Sequence, residues 1–147
     1  MSIDFYKEFG EYGYLASYSN HGFVVNNIYY PTVEHFYQAC KFDNQEIINK
    51  ILQSKTPKEA SMIGRDRKNI RIPSFKDIKL EKMYEGTLEK FRQNPDIAKK
   101  LLETGNEEIR EMTVKESYWG MGPNLDGENH MGQILMRVRE KIKEEQK

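Results

Sequence analysis

A single cysteine, Cys40, rules out any disulfide within the chain, so the fold must rest on its core rather than on covalent staples. Net charge is also missing: 23 Lys plus Arg balance 23 Asp plus Glu. Without a long-range field of either sign, neither a nucleic-acid backbone nor an anionic membrane is attracted globally, and any polyanion must be gripped by a local cluster. No apolar run approaches the roughly 20 residues of a membrane span or the shorter apolar stretch of a signal peptide. No repeat, low-complexity segment or Pro/Gly/Ser-rich linker interrupts the sequence. For 147 residues, these absences predict one compact domain over 1–147 in a reducing cytoplasm, long enough to bury roughly 70% of its unfolded surface.

What is present points to an α+β fold that is predominantly helical. The first 30 residues are rich in aromatics and glycine, and the short runs Phe23–Val25 and Ile28–Tyr30 flank Asn26-Asn27, a pair that tolerates the positive φ of a tight hairpin. A small, irregular β element is expected there. From Thr32 onward apolar residues recur at helical spacing: Val33, Phe36, Tyr37 and Cys40; Ile47, Ile48, Ile51 and Leu52; Leu88 and Phe91; Ile97, Leu101 and Leu102. Thr56-Pro57-Lys58-Glu59 has the order of a capping box, and Asn94-Pro95 repeats the logic. Thr104-Gly105 reads as a helix end, Glu108–Thr113 as a short strand, and Met131–Ile142 as a final amphipathic helix.

Three clusters carry polar chemistry. On a helix of about 100° per residue, Glu34, Gln38 and Lys41 share a sector of roughly 60° beside the apolar stripe Val33, Phe36, Tyr37 and Cys40. Such a face is either solvated or functional, and spacing does not decide between the two. Glu116 to Gly132 concentrates glycines around Trp119, the one tryptophan. It reads as a binding loop leading into a helix, or as a glycine-rich connector with Trp119 plugging the core. Gly64–Arg71 carries Arg65, Arg67, Lys68 and Arg71, suited to a phosphate ester or to solvent. His21, His35 and His130 lack metal-ligand spacing, and no nucleotide-binding fingerprint or nucleophile-elbow serine occurs, so neither metal nor cofactor is expected.

Over nearly its whole length the chain resembles the NADAR/YbiA-like family. The resemblance runs through Tyr12-Gly13-Tyr14-Leu15 with Ser19-Asn20, Pro31-Thr32-Val33-Glu34-His35-Phe36-Tyr37-Gln38-Ala39-Cys40-Lys41-Phe42, and Thr56-Pro57-Lys58-Glu59-Ala60 with Gly64-Arg65. It continues in Met83, Lys90-Phe91, Leu101–Gly105, Tyr118-Trp119-Gly120-Met121-Gly122 and Gly127–Arg139. The chain departs from the family in carrying Glu116 where relatives often have Asp, and Ser74-Phe75 where they often have Asp-Trp.

The resemblance implies hydrolysis of a ribosyl C1–N bond, in phosphorylated ribosylamino-pyrimidines of riboflavin synthesis or in ADP-ribose attached to guanine. Such cleavage needs an anion near the sugar and a proton donor near the base. With the shared helix face, this makes Glu34 and Asp126 the carboxylate candidates and Lys41 a candidate nucleophile through a Schiff base. Trp119 is placed at the base, Arg65 at phosphate, and Asn20, Gln38 and Asn129 at ribose hydroxyls or base edges, with Gly120 a further substrate-binding position and Glu111 a further acid or orienting group. The expected partner is a small ribosyl or ADP-ribosyl molecule, or ADP-ribosylated nucleic acid gripped only at its modified base. The competing readings are an ordinary two-carboxylate glycosidase and a non-catalytic module that binds NAD-derived ligands.

Overall fold

The computed structural model describes residues 1–147. Asn26 and Asn27 take φ of 52° and 67°, the left-handed pair that a two-residue hairpin turn requires. They join β2 (Phe23–Val25) to β3 (Ile28–Tyr30), which pair antiparallel with Phe23 opposite Tyr30. Both of those rings are buried against Phe36.

Helices follow: α1 (Val33–Ala39), α2 (Gln45–Leu52), α3 (Pro57–Arg65), α4 (Phe75–Gln93), α5 (Pro95–Glu103) and, at the end, α6 (His130–Glu145). Thr32 caps α1 by accepting from the His35 N–H at 3.1 Å, and Thr56 caps α3 by accepting from the Glu59 N–H at 3.1 Å. Glu59 reaches back one residue beyond the usual capping box, to the Lys55 N–H at 3.0 Å. Asn94 differs from the expected cap. Its Nδ2 donates to the carbonyls of Gly22 (3.0 Å) and Lys90 (2.8 Å), tying the hairpin's entry to the end of α4.

One pairing lies outside what the residue patterns predict. β1 (Ser2–Phe5) runs parallel to β4 (Glu108–Glu111), with Ser2 opposite Glu108 and Phe5 opposite Glu111. Four residues are too few to show an alternation, and a parallel pair needs no local turn signal. Helix α6 packs across β4 and α4, and α1 lies among α2, α3 and α4. The core between them holds Val33, Phe36, Phe91, Leu101, Ile109, Leu135 and Val138. The architecture is α+β and mostly helical, and no helix is long and apolar enough to cross a membrane.

Candidate active site

All seven residues of α1 are buried, polar ones included. Glu34 is 6% exposed, Gln38 2% and, just beyond the helix, Lys41 5%, so this face is not a solvated stripe. It forms one wall of a cleft of about 960 Å³ whose other walls come from Ala16–Tyr18, α3, Arg71, Glu111, Glu116 and Trp119. Buried polar groups need partners, and Glu34 has them. Its Oε2 accepts from Gln38 Nε2 at 2.6 Å, its Oε1 from Ser17 Oγ at 3.4 Å, and its N–H donates to the Ser17 carbonyl at 3.1 Å. Gln38 in turn packs on Gly64 of α3 so closely that a Cβ there would strike its amide.

Lys41 is differently placed. No carboxylate lies within ion-pairing distance of its Nζ, which sits 5.3 Å from the centre of the Tyr37 ring and 6.0 Å from that of Phe75. Burial, then the neighbouring Arg71 charge, lower its pKa to about 8, helped by Arg65 and Lys79 and opposed by Glu34. Across the cleft, burial raises the Glu111 carboxyl to about 7, and the charges of Glu116 and Glu34 add to the effect. One cleft thus holds an amine and a carboxylic acid whose proton affinities have been drawn close together.

Glu111 closes β4, and Asn129 holds the strand there. With φ of 52°, Asn129 donates from Nδ2 to the Ile109 carbonyl at 2.9 Å and accepts at Oδ1 from the Glu111 N–H at 3.0 Å. Gly132 makes this fit possible, because a Cβ there would meet the Ile109 carbonyl and the Asn129 amide. Asn129 therefore supports the strand and does not line the cleft. The Trp119 loop is organised by Glu116, whose carboxylate accepts the N–H groups of Tyr118 (3.0 Å), Trp119 (2.8 Å) and Gly120 (3.0 Å). Trp119 lines the cleft, half-buried and edge-on to Tyr37 at 5.7 Å.

Glu116→Ala strips three N–H groups of their acceptor at once. Expected is a loss of about 2 kcal/mol in urea unfolding, with a red shift of the single tryptophan's fluorescence as its loop loosens. Unchanged stability and emission would show that water replaces the carboxylate at no cost.

Of the residues singled out from sequence, the cleft brings together Glu34, Gln38, Lys41, Arg65, Glu111 and Trp119. Asn20 and Asp126 are exposed and lie outside it, and Gly120 is buried and does not line it. Arg71 and Ser17 line the cleft without having been singled out. Arg71 belongs to the basic cluster but carries no mark separating it from Arg67, and Ser17 has no motif at all. No group of three His, Cys, Asp or Glu side chains is arranged to hold a metal ion.

The chain is 40% identical to an N-glycosidase of Nostoc punctiforme, over 97% of this chain and 94% of that protein. It is 35% identical to a riboflavin biosynthesis protein of Vibrio vulnificus, over 97% of this chain but 39% of that longer protein. The solution structure of the Escherichia coli protein YbiA matches with a TM-score of 0.90 at 30% identity, covering 99% of this chain and 89% of that one. A model of the NADAR domain spans residues 4–143, and with that match along almost its whole length the chain belongs to the NADAR family.

Proposed function

We propose that this protein is an N-glycosidase that hydrolyses the C1–N bond between a phosphorylated ribose and a nitrogen base, with Lys41 as nucleophile. The reading is carried by the juxtaposition of an unpaired, buried amine with a carboxyl of raised pKa in one cleft. The names of the Nostoc and Vibrio relatives support it.

In this reaction the neutral Lys41 amine forms a bond to the ribose C1 as the C1–N bond to the base breaks. The departing nitrogen takes the proton of Glu111, so the base leaves neutral. The adduct nitrogen then gives one proton back to the Glu111 carboxylate and a second to the ring oxygen as the C1–O bond opens, which leaves an imine between Lys41 and C1. Water then adds to the imine carbon, the amine is expelled, and ribose phosphate is released. Glu34, fixed by Ser17 and Gln38, supplies negative charge beside C1 while positive charge builds there. Glu111 thus takes the acid role for which the exposed Asp126 is badly placed. Trp119 offers an apolar face to the base, and Arg65 and Arg71 bind phosphate at the rim.

Product analysis by mass spectrometry tests the reading, with the protein incubated separately with a ribosylamino-pyrimidine phosphate and with guanine-linked ADP-ribose on a short oligonucleotide. Release of ribose phosphate from the first marks a metabolite N-glycosidase; release of ADP-ribose from the second marks a base de-modifying enzyme. Cleavage of neither, with tight ADP-ribose binding, overturns the enzymatic reading in favour of a binding module.

Arg71→Ala should act twice. Loss of a charge-assisted contact to phosphate raises KM roughly 10- to 100-fold, and loss of a neighbouring cation lets the Lys41 pKa rise. Because Lys41 must be neutral while Glu111 keeps its proton, the plateau of kcat against pH then falls and its alkaline limb moves to higher pH, while the acid limb keeps its midpoint near 7. A KM effect without that movement would separate Arg71 from the amine.

A further inference from the structure

Lys90 of α4 is an ionisable group that the chemistry above leaves unused. It is 1% exposed and sits on the helix face that also buries Met83, Thr87 and Phe91. No carboxylate accompanies it, and burial alone draws its pKa down to about 7. Its Nζ makes one hydrogen bond, donating to the Ala16 carbonyl at 2.9 Å, and lies 5.1 Å from the centre of the Phe91 ring. An ammonium with three N–H groups and one acceptor is a poor core residue, and a methionine fills similar space without desolvating a charge. The fold alone gives no reason for a lysine here.

The site gives one. The Ala16 carbonyl also accepts the Ser19 N–H at 3.0 Å, closing the turn whose Ala16, Ser17 and Tyr18 line the cleft. Ser17, next in sequence, grips Glu34 through both its backbone carbonyl and its hydroxyl. A continuous path runs from Lys90 Nζ through the Ala16 carbonyl and Ser17 to the Glu34 carboxylate. We propose that Lys90 is a positioning residue: by fixing the Ala16 carbonyl it holds the turn where Ser17 can aim Glu34 at the reacting sugar.

The kinetic arm of this proposal rests on the N-glycosidase reading; a second arm does not. Lys90→Met and Lys90→Gln are compared with the wild-type chain by thermal unfolding, by amide hydrogen exchange at Ser19 and Glu34, and by kcat and KM on whichever ribosyl substrate the wild type cleaves. For Lys90→Met the expected result is an unchanged or higher Tm, and exchange faster by about 10-fold at Ser19 and Glu34 but unchanged at Leu135. Its kcat should fall roughly 10- to 100-fold, as sub-ångström misplacement of a working group does, with KM within about 3-fold because phosphate and base contacts are untouched. Lys90→Gln retains an N–H donor and recovers part of the kcat. Wild-type kcat in Lys90→Met overturns the proposal, as does failure of that variant to fold, which would make the amine a requirement of the core. If the wild type cleaves no ribosyl substrate, the N-glycosidase reading fails and exchange at Ser19 and Glu34 decides the role of Lys90 alone.

Discussion

Lys41→Ala will abolish turnover, with kcat falling on the order of 10³-fold or more, as when a nucleophile is deleted from a set of groups that act together. Lys41→Arg will be as inactive, since a guanidinium stays charged and cannot attack C1. Loss of activity alone does not identify a nucleophile, because Lys41 also contributes charge to the cleft. Borohydride does, because only an imine is reduced onto the amine. Wild-type protein mixed with substrate and borohydride should gain the mass of the reduced ribose phosphate on the peptide carrying Lys41, and Lys41→Ala should gain nothing. If the wild type turns over under borohydride without an adduct, a two-carboxylate route built on Glu34 and Glu111 replaces the covalent one.

The second large effect concerns Glu111, which must be protonated to act while Lys41 must be neutral. With the acid near 7 and the amine near 8, the required forms are the minor ones of each group at the optimum. Below pH 7 activity rises with pH as Lys41 loses its proton. Between about 7 and 8 gains at Lys41 are cancelled by losses at Glu111, and above 8 activity falls as Glu111 ionises. Both forms are held together by only a minority of molecules even at the optimum, and the two limbs belong to the pair rather than to either residue.

Glu111→Gln removes one factor. The fall above pH 8 should vanish, the acid limb should move from about 7 to about 8, and kcat at the optimum should drop by roughly 10²- to 10⁴-fold. A bell that survives in Glu111→Gln would assign the alkaline limb to another group.

Much of this organisation is legible in the sequence because it is local. The Asn26-Asn27 hairpin, the caps at Thr32 and Thr56, and the stripe through Val33, Phe36 and Tyr37 are written within a few residues of where they act. Joining Glu34, Gln38 and Lys41 on one face needs only helical geometry; deciding that this face is buried needs the packing of α3 over it. The parallel β1–β4 pair was not readable, since register across a hundred residues leaves no trace in either four-residue strand. The resemblance points to both Glu111 and Asp126 as carboxylates, one on either side of Trp119, and nothing local in the sequence says which faces the cleft. Lys90 did leave a signal, a charge where the α4 periodicity calls for an apolar side chain, but its carbonyl partner lies 74 residues away.

The placement of β4 also bears on the order in which the protein matures. The strand that presents Glu111 is paired on one side with Ser2–Phe5 and covered by α6, which begins at His130. A nascent chain emerging residue by residue can form the local helices early, including the α1 face that carries Glu34 and Lys41. Glu111 reaches its place in the cleft only when α6 has left the ribosome and long-range closure has taken place. The amine and the acid are thus assembled at different stages of synthesis, and a chain stalled before α6 presents the α1 face while Glu111 is still in water.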